Sequence, residues 1–116
     1  MLNQVVLAGR LVREPEVKVL ENGKEVSNIC LAVHRPFKND KDEYETDFID
    51  CTLWGNVANA TKEYCNKGDV IAVRGRLSTN SYDDKETGNK IFKLELVADK
   101  VSFLSSKSKN EVEPER

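Results

Sequence analysis

A five-stranded all-β barrel in Greek-key order, with one helix between its third and fourth strands, is the architecture this 116-residue chain predicts. Three observations carry that expectation. Five segments alternate apolar and polar residues with the two-residue period of half-buried strands. One segment, residues 56–68, carries a helical stripe instead. The breaks between segments hold hairpin chemistry, above all Asn22-Gly23, since both residues tolerate positive φ. A β-sandwich needs more strands and no helix at that place.

The first strand runs over residues 2–12, with Val5, Leu7 and Leu11 on one parity. "REPE" ends it, because Pro15 cannot donate to a ladder and belongs at an edge or turn. The Asn22-Gly23 hairpin leads into a second strand over residues 25–35, whose Ile29, Leu31 and Val33 share a face. "PFKNDKDEYET", opened by Pro36 and rich in charge, reads as a mobile loop. The third strand is "TDFIDCTLWG", residues 46–55. In "NVANATKEYCNKG", Val57, Ala60, Thr61 and Tyr64 fall at i, i+3, i+4 and i+7, and Gly68 stands where a helix C-terminal glycine belongs. A fourth strand follows from Val70 to Tyr82, with Ile71, Val73, Gly75 and Leu77 on one face. "DDKETGN" is a turn. The fifth strand, Lys90 to Ala98, places Phe92, Leu94 and Leu96 inward, and "DKVSFL" extends or follows it with Val101 and Phe103 packing. Three strands, a helix and two strands make the layout of the OB-fold. The domain is expected over residues 1–104. Residues 105–116, "SSKSKNEVEPER", form a short polar tail without apolar periodicity, expected to be disordered.

Composition narrows the function. The chain is 39% hydrophobic and 33% charged, ordinary for a globular domain. No apolar run approaches the ~20 residues of a membrane span, and "MLNQVVLAGRLVRE" reads as a strand rather than a signal peptide. Cys30, Cys51 and Cys65 have no metal-like spacing; an odd count suits reduced thiols in the cytoplasm, buried as small hydrophobes. A net charge of −2 weakens any argument from global attraction to nucleic acid. Phosphate binding here needs a local basic surface and a second source of affinity.

The third strand supplies one. Ile49, Cys51 and Leu53 form an ordinary core face. The opposite face holds Phe48, Asp50, Thr52 and Trp54, the sole tryptophan, and two large aromatics beside an acid and a hydroxyl make a poor core. The outer face of the fourth strand carries Arg74, Arg76, Ser78, Asn80 and Tyr82, while Phe37 lies between Arg35 and Lys38 at the mouth of the charged loop. Bases stack on aromatic rings for ~1–3 kcal/mol each whatever their identity. Cations neutralise phosphates. Only unpaired strands expose bases to such a platform, so Phe37, Phe48, Trp54 and Tyr82 are candidate stacking residues, and Arg35, Lys38, Arg74 and Arg76 candidate phosphate contacts. Tyr44, Tyr64, Phe92 and Phe103 are assigned no binding role.

"LNQVVLAGRLVREPEVKVLENGKEVSNICLAVHR" resembles the opening of the bacterial single-stranded DNA-binding protein (SSB) family, with its N-x-V-x-L-x-G-x-L start, D/E-P-E and N-G hairpin. "DFIDCTLWG" is similar to that family's third strand, and "YCNKGDVIAVRGRL" to its helix end and fourth strand. The resemblance runs from about Leu2 to Leu104. It implies an OB-fold that binds single-stranded DNA without sequence specificity, and stacking at the matching positions Phe37, Phe48, Trp54 and Tyr82. It also implies a homotetramer that coats DNA in replication, recombination and repair, with Asn3 on a strand that contributes to subunit pairing in relatives. Relatives often carry Arg or Lys where this chain has Ser78, Asn80 or Ser81, and Asp50 stands at a commonly basic or neutral site; weaker phosphate contact is the expectation. Relatives also end in a flexible linker and an acidic tip closing in Pro-Phe, which recruits replication and repair proteins. This chain ends "NEVEPER", which leaves those partners open.

Catalysis has little support. His34, the single histidine, sits on a strand, and no glycine-rich phosphate loop, zinc spacing or Ser-His-Asp order appears. The carboxylates of "NDKDEYETD" and "YDDKE" are read as solvated loop charges. No enzyme activity, cofactor or metal is expected. The alternatives are an OB-fold replication-restart factor that uses the aromatic face to bind protein, or an RNA-binding module.

Overall fold

The computed structural model describes residues 1–105. Its strands are β1 (Val5–Leu11), β2 (Lys18–Val19), β3 (Glu25–Lys38), β4 (Tyr44–Trp54), β5 (Val70–Asp83) and β6 (Lys90–Ser105), with the helix α1 (Gly55–Tyr64) between β4 and β5. They form one sheet in the order β1-β5-β6-β4-β3-β2, and a β1–β3 pairing closes it. Five strands thus make a closed barrel and the two-residue β2 hangs on β3, which is the OB-fold arrangement. Every pairing is antiparallel except β4 with β6. That pair can be parallel because α1 and β5 carry the chain from the end of one to the start of the other.

The core is built from the predicted parities. Leu11, Ile29, Leu31, Cys51, Leu53, Ile71, Val73, Leu96 and Ala98 are buried together. Asn22-Gly23 forms its turn, with Gly23 at φ 87° and the Lys24 amide donating to Asn22 Oδ1 at 2.9 Å.

Three expectations change, and one left open is decided. First, β3 runs on through Pro36 to Lys38, so Phe37 lies on a strand and not in a loop. Pairing with β4 shifts register between His34 and Lys38, and such an irregularity is where a strand tolerates proline. Only a tight turn remains, in which Asn39 Oδ1 accepts from the amides of Lys41 and Glu43 at 2.8 and 3.0 Å. Second, of the two alternatives for "DKVSFL" the structure has the extension, and β6 continues past Ala98 to Ser105. Gly75 pairs with Ala98 but Arg74 pairs with Lys100, so a bulge at Asp99 shifts the inward parity from Ala98 to Val101. The broken alternation is a bulge within one long strand.

Third, Phe92 and Leu94 are not inward: they are 71% and 64% exposed. Beyond Leu77 and Leu96, β5 and β6 leave the barrel as a two-stranded ribbon, and the inner parity faces solvent. Fourth, α1 buries Ala58 and Thr61, while Tyr64 is exposed and its ring lies 5.8 Å from that of Phe103. The helix ends at Tyr64, and Gly68, at φ 94°, serves the following turn rather than the helix end. The tail expected over residues 105–116 lies, beyond Ser105, outside the described residues.

Candidate nucleic-acid interface

Strand β4 presents its two faces as the alternation requires. Cys51 and Leu53 are buried in the barrel, whereas Phe48 is 66% and Trp54 40% exposed. Trp54 is the last residue of β4, and Gly55 at φ 58° turns the chain at once into α1. The ring is therefore held at a strand–helix junction. Phe37, at the far end of β3, is 64% exposed, and Tyr82, near the tip of the ribbon, 55%. All four rings stand on the surface of the barrel or its ribbon. Thr52 departs from its neighbours. It is buried and hydrogen-bonds to Asn28 Oδ1 at 3.3 Å.

The four cations differ in what already holds them. Arg35 is forked onto two carboxylates, Glu45 at 2.7 Å and Asp47 at 2.9 Å. Those hydrogen bonds hold the Asp47 carboxyl below its usual value. Lys38 lies 3.4 Å from Asp42 and 5.6 Å from the centre of the Tyr44 ring. Arg74 lies 3.4 Å from Asp99. Arg76 forms no ion pair among the described residues. Through the register, Arg76 pairs with Val97, Val97 with Thr52 and Thr52 with Asn28, one continuous outward row. One step further along β4 and β6 stand Asp50 and Glu95. The face between the aromatics is thus locally acidic, and the cations sit at its margins.

Side chains that sequence parity had not singled out flank the two β4 aromatics. Lys24 and Glu25 edge a groove of about 410 Å³ beside Trp54. Arg10 and His34 edge another of about 500 Å³ beside Phe48. His34 Nδ1 lies 2.9 Å from Thr46 Oγ1. The signal for Arg10 was its outward parity on the first strand, but only barrel closure brings that strand beside β3. Asn3 is bound within its own chain: its amide donates to the Leu77 carbonyl at 2.9 Å and accepts from the Leu77 amide at 3.0 Å. The three cysteines are buried; burial, with Asp50 and Cys30 nearby, pushes the Cys51 thiol up to about 12.

The chain matches the model of the single-strand binding protein family over residues 2–104. It belongs to that family. Among curated relatives, it is 47% identical over 104 residues to a single-stranded DNA-binding protein of Halalkalibacterium halodurans, covering 90% of this chain and 61% of that protein. It is 42% identical over 107 residues to single-stranded DNA-binding protein B of Bacillus subtilis, covering 92% of this chain and 94% of that one. It is 46% identical over 110 residues to single-stranded DNA-binding protein 2 of Staphylococcus aureus, covering 95% and 78%. The single-strand binding family match spans the whole closed barrel and the ribbon. Among the described residues no helix is long and apolar enough to cross a membrane.

Proposed function

We propose that this chain binds single-stranded DNA without regard to base sequence, stacking bases on Phe37, Phe48, Trp54 and Tyr82. One observation carries the reading: four aromatic rings stand exposed on the barrel and ribbon of a single-strand binding family member. Exposing such rings to water is unfavourable, and stacking against bases recovers that cost. Arg76 is the readiest phosphate contact. Arg35, Lys38 and Arg74 act by exchanging a carboxylate for a phosphate, at the expense of the ion pairs they now make. No step of this activity is chemical, so no catalytic group or cofactor is needed.

The chain acts in the cytoplasm on DNA unwound in replication, recombination and repair, and it does so as a homotetramer. The exposed Phe92, Leu94 and Leu77 on the ribbon, with Val6 and Leu2 near β1, support self-association, because isolated copies would leave this apolar surface wet. Titration with oligo-dT tests the binding: the fluorescence of Trp54 quenches on stacking. An unquenched signal with no measurable affinity refutes the reading and favours a protein-binding OB-fold. Matched RNA strands in competition separate an RNA module, which exploits 2′-hydroxyls. Light scattering of the free protein gives the subunit count, and a monomer mass refutes the tetramer.

A further inference from the structure

We infer that the groove between β1 and the β3–β4 hairpin is a nucleotide subsite, in which Arg10 and His34 hold the phosphate of a nucleotide whose base stacks on Phe48. This rests on the single-strand reading above and adds two contacts to it.

The register supplies the geometry. Val70 pairs with Arg10, Arg10 with Ala32 and Ala32 with Phe48, so one row crosses β5, β1, β3 and β4 without a break. Neighbouring strands lie ~4.8 Å apart, which sets the backbones of Phe48 and Arg10 roughly 10 Å apart with Ala32 between them. Ala32 carries only a methyl group, so the row is an aromatic wall, a low floor and a cationic wall. The next pair along the hairpin is His34 with Thr46. The Thr46 hydroxyl, 2.9 Å from Nδ1, orients the imidazole and leaves Nε2 for a ligand. The groove is open to solvent, and its volume, about 500 Å³, lies within the ~300–1,000 Å³ typical of small-molecule sites.

Two further features suit a ligand. Gly9 lets β1 close on β3: a Cβ there would meet the Ala32 carbonyl oxygen at 2.7 Å and Val33 Cγ2 at 2.9 Å. The β1–β3 pairing covers only Arg10 with Ala32 and Leu11 with Leu31, and the seam opens beyond it as the groove. Arg10 is also better prepared than most of the cations named so far. Its Nη1 donates to the Gly68 carbonyl at 2.6 Å, which steadies the guanidinium while its other N–H donors stay available to a phosphate fork. No carboxylate pairs with it among the described residues.

The test is oligo-dT titration of the full chain across a range of salt, with a thermal melt for each variant. Arg10→Gln is expected to weaken binding about tenfold, the scale of one charge-assisted hydrogen bond. It should also make the logarithmic salt slope shallower by about 0.7, one phosphate's share. Arg10→Lys should keep the slope. His34→Ala should weaken binding, and Ala32→Met, which fills the floor without touching a charge, should weaken it too. A purely structural Arg10, serving only to tether Gly68, would lower the melting temperature and leave the slope alone. The subsite is overturned if wild type binds while folded Arg10→Gln and Ala32→Met match it in affinity and slope. A wild type that fails to bind oligo-dT at all removes the single-strand reading itself, a different result.

Discussion

Trp54 and Gly75 show how much one residue can decide. Trp54 is placed by a strand end and a left-handed glycine, and with 40% of it exposed it offers the proposed stacking surface while the rest of the side chain is covered. Trp54→Ala is expected to weaken oligo-dT binding by ~1–3 kcal/mol and, because part of the side chain is covered, to lower the melting temperature without unfolding the barrel; intact affinity in a folded variant would show that the ring does not stack. Gly75 is the converse case. Its position on β5 looks like one more core-facing residue, yet a Cβ there would overlap the Val97 carbonyl and approach Ala98 Cα to 2.8 Å. Both neighbours are backbone and cannot swing aside. Gly75→Ala should cost about 1–3 kcal/mol of stability as overpacking, read from denaturant melts, with the aromatic face untouched.

Individual elements were legible to different degrees. The alternation of β4 separated core from surface at Cys51 and Leu53 against Phe48, Asp50 and Trp54, with Thr52 the exception, since that outward residue is buried. The same reasoning failed on β6. Phe92, Leu94 and Leu96 share a parity, but only Leu96 lies within the barrel. Alternation reports which side chains face the same way, and it is silent on whether anything packs there. Helix α1 shows a smaller error, with its stripe rotated so that Ala58 rather than Tyr64 enters the core. The outward parity of β4 and β6 also carries Asp50 and Glu95, just beyond the paired stretch of the two strands, an acidic step between aromatic positions. Asp50→Lys should tighten oligo-dT binding and steepen the salt slope by about 0.7. An unchanged slope would place the DNA backbone away from this step.

For the whole molecule, charge and architecture pull in different directions. A net charge of −2, with Arg35, Lys38 and Arg74 already facing carboxylates, leaves little unopposed positive potential. On the proposed reading affinity then leans on stacking, which salt screens little. The salt slope of oligo-dT binding should be shallower than that of a basic member of the family, at roughly 0.7 per phosphate contact. A slope as steep as a basic relative's would mean that the ion pairs give way readily.

The order of elements, the side of each barrel strand that meets the core and the four rings of the candidate face could be read from the chain alone. Each depends on local periodicity or turn chemistry, and these act between residues close in sequence. The reach of β3 through Pro36, the bulge at Asp99, the ribbon that leaves Phe92 bare and the row joining Arg10 to Phe48 could not. They depend on which strand lies beside which, and that is settled by closing a barrel between segments far apart along the chain.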